Sequence, residues 1–179
     1  MMHKQIIPLF LFIFTINCNC DASSCRCKNF ENNIYQLTTT VTNQQPFYTF
    51  IVLLSNGIYY ETSNIANGQN AAELASEIPF GIHNGFYSCL PGNKLRLTSF
   101  GYIYKQIDNP LISTNGATGL HYYDLQFLNN DNRQCTGLFS FALYTIGTNP
   151  FDSTNNSLLK STNNTVTGQL FNGRDYELL

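Results

Sequence analysis

A chain of 179 residues has room for one domain with a genuine core and little else. Only 11% of it is charged, against about 25% in an average domain, and the formal net charge of −2 comes without any cluster of Lys or Arg, which argues against nucleic acid and anionic membrane surfaces as partners. With fourteen Phe and eleven Tyr to carry, the chain must draw its solubility mainly from neutral Asn, Thr, Ser and Gln.

The chain begins MMHKQIIPLFLFIFTINCNC. His3 and Lys4 precede an apolar stretch from Ile6 to Ile16, which is short of the ~20 residues a membrane-crossing helix needs and suits a secretory signal peptide over residues 1–22. An extracellular, secreted product without an integral membrane anchor is expected. Residues 23–33 then form a cysteine-containing segment, and 34–179 a single domain. Cys25, Cys27, Cys89 and Cys135 remain after the signal is removed, an even set in an oxidising compartment. Neighbours in a C-x-C are poorly placed to bridge each other at the usual Cα separation of ~4.4–6.8 Å, so Cys25 and Cys27 are each expected to reach Cys89 or Cys135. A single Cys89–Cys135 bridge is the alternative.

Strand periodicity runs through almost all of the rest. Residues 34–42 (IYQLTTTVT) alternate, 47–54 (FYTFIVLL) are continuously apolar, and 57–62 (GIYYET) follow a Ser-Asn-Gly turn. Only NAAELASE at 70–77 has helical character, with Asn70 as N-cap and Glu73 as its capping-box partner. Further strands are expected at 85–89 and 94–104 across a Pro-Gly-Asn turn, then at 119–127, 135–145 and 168–177. Between the last two lies an Asn/Ser/Thr-rich stretch read as a loop, with glycosylation sequons at Asn155 and Asn163.

Eight strands in sequence predict an all-β, up-and-down antiparallel barrel with one short helix, since closure removes exposed edges; a two-sheet β-sandwich is the alternative. In that order the short turns at 55–56, 90–93 and 128–134 share one end with the cysteines. The longer connections, including 63–84, 105–118 and 146–167, share the other, which is the expected mouth.

Putting charge outside assigns the faces. Lys94 and Arg96 outward leave Leu97, Ser99, Gly101 and Ile103 inward, and Asp124 and Gln126 outward leave His121 and Tyr123 inward. The same rule turns Ile58 and Tyr60 inward on 57–62, and 135–145 contributes Phe139 and Phe141. The expected ligand-binding set is therefore Tyr60, Leu97, Gly101, Ile103, His121, Tyr123, Phe139 and Phe141, an aromatic interior with one imidazole. Arg174 is either an inward carboxylate anchor or an outer-face residue beside Asp175 and Glu177. His83 and Asp108 belong to the mouth loops and read as solvated.

The segments FYTFIVLLSNGIYYET, NGFYSCLPGNKLRLTSFGYIY, QCTGLFSFALY and LFNGRDYEL together resemble the calycin-like barrels, the group containing lipocalins and fatty-acid-binding proteins. With no Trp, the chain lacks the first-strand Gly-x-Trp of true lipocalins. The resemblance implies a secreted monomer that takes a small, largely apolar ligand into a barrel. There is no G-x-S-x-G, P-loop, dinucleotide fingerprint, H-E-x-x-H or EF-hand loop, so no catalytic residue, metal or cofactor is expected. Two rival functions stay open: a cofactor-free isomerase or cyclase using His121 for proton transfer, and a secreted protein–protein interaction module with a filled core.

Overall fold

The computed structural model describes residues 27–41, 45–65, 70–71, 76–77, 80–104, 112, 115–128 and 132–171. Eight strands close into an antiparallel barrel: β1 (Ile34–Thr40), β2 (Phe47–Leu53), β3 (Ile58–Ser63), β6 (His83–Leu90), β7 (Lys94–Ile103), β8 (Ala117–Phe127), β9 (Gln134–Thr145) and β10 (Leu159–Leu170). Each pairs with its neighbours in chain order, and β10 returns to β1, so the sheet has no free edge and the two-sheet sandwich is not formed. Among the described residues no helix is long and apolar enough to cross a membrane.

Two expected elements are corrected. Where a helix is expected over 70–77, the described residues form two short strands, β4 (Asn70–Ala71) and β5 (Ser76–Glu77), paired antiparallel, and 72–75 lie outside the described residues. A two-turn helix gains too few hydrogen bonds to offset its nucleation, whatever its cap offers. The closing strand begins at Leu159 and runs to Leu170, so residues 159–167 of the Asn/Thr-rich stretch read as a loop are wall, and 172–177 of the strand expected over 168–177 lie outside the described residues. Its Asn residues have poor strand propensity, but pairing with both β1 and β9 satisfies the backbone on each side, and Asn164 and Val166 turn inward. The misfit is absorbed by a bulge between Ser161 and Asn164, where Asn163 takes a left-handed φ of 62°. Asn163 is thus an exposed strand residue, while Asn155 stays in the β9–β10 connection with its side-chain amide donating to the Asn149 carbonyl.

At the short-turn end, the segment after Cys27 crosses the barrel floor. Phe30 packs on Phe127 at 4.7 Å, and the Asn32 N–H donates to the Leu53 carbonyl at 2.7 Å. A Cys27–Cys89 disulfide ties this plug to β6. Of the two crosslinks expected, this is the one present among the described residues. Cys135 is a buried free thiol, pushed up to about 12 by burial, and Cys25 lies outside the described residues.

Above the plug the interior is largely apolar. Tyr35, Leu37, Leu53, Leu95, Leu97, Tyr123, Leu125 and Phe139 belong to one buried apolar cluster, which Val41 and Phe47 carry up the β1–β2 side. A second, smaller cluster of Ile103, Ile112, Ala117 and Leu143, with Phe80 and Phe141 against it, lies at the long-connection end.

Candidate functional site

Between these clusters runs a band of buried polar side chains: Thr39, Thr49, Glu61, His83, Ser99 and Asn164, joined by the half-buried His121. β1, β2, β3, β6, β7, β8 and β10 each contribute one of them, so the band circles the interior. Burying polar groups is costly unless they are paired, and a carboxylate is the costliest member.

Glu61 is that carboxylate, only 4% exposed. Its Oε1 accepts from His121 Nδ1 at 2.5 Å, while Oε2 accepts from Ser99 at 2.9 Å and from the Tyr59 hydroxyl at 3.3 Å. Burial alone would raise its pKa, but electrostatic attraction to His121 and the hydrogen bond from it, helped by His83 and Ser99, hold Glu61 below the usual carboxylate range. The same negative charge, added to burial, keeps the Tyr59 and Tyr123 phenols protonated far above their ordinary range.

His83 lies on the other side of His121, the two rings stacked at 4.1 Å with 10° between their planes. Backbone geometry makes room for it. A Cβ on Gly101 would sit 2.7–2.8 Å from the His83 ring, and one on Gly119 would sit 3.1 Å from its Nε2, so two glycines paired across β7 and β8 form the ring's bed. His83 Nδ1 lies 3.1 Å from the Gly81 carbonyl, an arrangement that assigns the proton to Nδ1 and the lone pair to Nε2. That Nε2 is buried and has no hydrogen-bond partner among the described residues; the Tyr123, Thr39 and Thr49 hydroxyls share this condition. Burial and the neighbouring His121 together lower the His83 pKa to about 4, so the ring is neutral at physiological pH.

The residues read from the sequence divide clearly. Leu97, Gly101, Ile103, Tyr123 and Phe139 are buried on inward-facing positions, and His121 and Phe141 are half-buried there. Tyr60 is not with them. It is 44% exposed on the outer wall beside Ile58, and Tyr59 and Glu61 take the inward positions instead. Setting charge outside reversed this strand, because Glu61 has three hydrogen-bond donors inside the barrel to repay its desolvation. His83, read as a solvated loop residue, is 1% exposed and opens β6. Asp108 and Arg174 lie outside the described residues.

Chemically, the site is an imidazole backed by a buried carboxylate. Of the pair, His121 keeps 14% of its side chain accessible and Glu61 only 4%, so a visitor meets the ring and not the acid. A groove of about 400 Å3 on the outer wall, lined by Gln36, Tyr48, Thr136 and Gln169 among others, includes no residue of the polar band. No protein-family model matches the chain, and neither does any curated protein or solved structure.

Proposed function

We infer that this is a secreted, lipocalin-like barrel that binds a small, largely apolar molecule through its long-connection end, with one polar head group of the ligand on His121. The carrying observation is the Glu61–His121 pair, set between two apolar clusters with only the imidazole reachable. A filled structural barrel has no need of a buried carboxylate, and strongly perturbed ionisable groups in a concave interior mark binding or catalytic sites. Phe141 and Leu143 offer apolar surface next to that head-group position, while the packed floor leaves a long acyl chain little depth. The signal-like N-terminus and the Cys27–Cys89 disulfide support export.

The test is titration with a fluorescent fatty acid and with a retinoid, alongside native mass spectrometry of protein from its own host. Saturable one-to-one uptake, weakened about tenfold or roughly 1.4 kcal/mol by His121→Ala, is expected. Absence of uptake by the wild-type chain would leave the interaction module as the better account.

One observation favours a second reading as isomerase or cyclase. The bond from Nδ1–H to Glu61 fixes the His121 tautomer and leaves Nε2 as a proton acceptor, the arrangement of a general base. In that case His121→Ala abolishes turnover rather than weakening uptake.

A further inference from the structure

We propose that Glu61, His83 and His121 form a binding site for one divalent transition-metal ion of the zinc class. The proposal rests on the same side chains as the ligand reading but makes a separate claim, that the primary occupant is a cation.

One donor atom from each of the three residues lies within 4.8 Å of the others, and the three stand on separate walls of a closed barrel. Two imidazoles and a carboxylate suit Zn2+, Co2+ or Cu2+ better than Ca2+ or Mg2+, which prefer an all-oxygen shell. His83 supplies the independent signal. Its Nδ1 is engaged by the Gly81 carbonyl, as the outer nitrogen of a metal-bound histidine commonly is, and its Nε2 lone pair is buried and unpartnered among the described residues. Gly101 and Gly119 hold the ring in that pose, since a side chain at either position would crowd it. A structural histidine would be expected to satisfy both nitrogens.

As the site stands, the proton between His121 Nδ1 and Glu61 Oε1 occupies the cation's place. On binding, the cation takes the Nδ1 lone pair and Oε1, and the displaced ring proton moves to His121 Nε2. The two imidazoles also leave their stack, because parallel rings cannot aim in-plane lone pairs at one ion. Ser99 and Tyr59 retain the other Glu61 oxygen throughout, supplying an outer layer already in position. With three protein donors, a further coordination position remains for water or for the head of a bound molecule.

The test uses the full secreted chain in metal-free buffer with no organic ligand. Calorimetric titration with ZnCl2 and visible absorption on adding CoCl2 should show one ion per chain. His83→Gln and Glu61→Gln should each weaken it by at least about tenfold while retaining near-ultraviolet circular dichroism. Should either variant fail to fold, imidazole 15N resonances of the wild-type chain give the answer, since Zn2+ should shift those of both His83 and His121. No saturable uptake, uptake unchanged in folded variants, or His83 and His121 resonances that stay where they are on adding Zn2+ would overturn the proposal. Loss of the metal result with fatty-acid or retinoid uptake intact sinks this inference alone, and the converse sinks only the ligand reading.

Discussion

The floor of the barrel and its polar band are built from the same strands, yet they obey different rules. Below, the buried cluster is apolar and aromatic, and the Tyr35 hydroxyl donates to the Asn132 carbonyl at 3.0 Å. Above, Glu61, His83 and Ser99 point inward with apolar clusters on either side. The floor is what a closed sheet needs in order to exist, since burial of Leu, Tyr and Phe is the main favourable term in folding. The band is what the sheet carries at a cost, and that cost is why the band is the place to look for function.

The sharpest way to break this contrast is to cut the floor. Leu97→Ala should cost about 2–5 kcal/mol in urea unfolding, because Leu97 is fully buried in the larger cluster. A cost below about 1 kcal/mol would mean the floor is not close-packed. The His121 resonances should stay where they are in that variant.

The band should answer to acid instead. His83 has a folded pKa of about 4 against an ordinary 6.5, so as pH falls through 6.5 the unfolded chain takes up a proton that the native chain refuses. Stability should therefore drop by about 3 kcal/mol between these two values and level off below them. The groups facing His83 are His121 and Glu61, and the lowered pKa of Glu61 adds its own loss further down as the carboxylate protonates. Denaturation curves with a chelator present, from pH 7 to 4, should show this arm, and His83→Gln should flatten it. An arm unchanged in that variant would place the titration elsewhere.

The smallest effect concerns β3. Tyr60→Ser on the outer wall should change stability by no more than about 0.5 kcal/mol, whereas Tyr59→Ser, one residue away and fully buried, should behave like a floor mutation. Thermal melts of the two variants would show at once if the faces are reversed.

The sequence made the barrel legible because period-2 alternation and tight turns are local signals. It also placed β7 and β8 correctly, where Arg96 and Asp124 pair across the outer wall at 2.8 Å and leave His121, Tyr123 and Leu97 inside. The same reasoning failed on IYYETS, because Ile58, Tyr59 and Tyr60 make both faces apolar and the single charge decided. The signal that would have decided correctly is the turn: across Ser55–Gly57, Leu53 stands opposite Tyr59 and Ile51 opposite Glu61, and paired residues share a face. Gly101 and Gly119 were a second clue, inward glycines on adjacent strands marking space that a larger ring fills. The partnership of Glu61 with His121 lay beyond reach, since it joins positions sixty residues apart through the curvature of the closed sheet.

The seam of the barrel has a consequence for how such a chain is made. β1 borders β10, with Tyr35 opposite Leu170 and Thr40 opposite Thr165, so the first wall strand is completed by the last. A ribosome delivers Cys27 and Cys89 well before Leu159, and the floor can be fastened covalently while the cylinder is still an open ribbon. Until synthesis nears its finish, one flank of the nascent ribbon stays unzipped, and long-range closure of this kind is slow and adhesive. The greatest demand on chaperones therefore falls at the final stave rather than at the hydrophobic base.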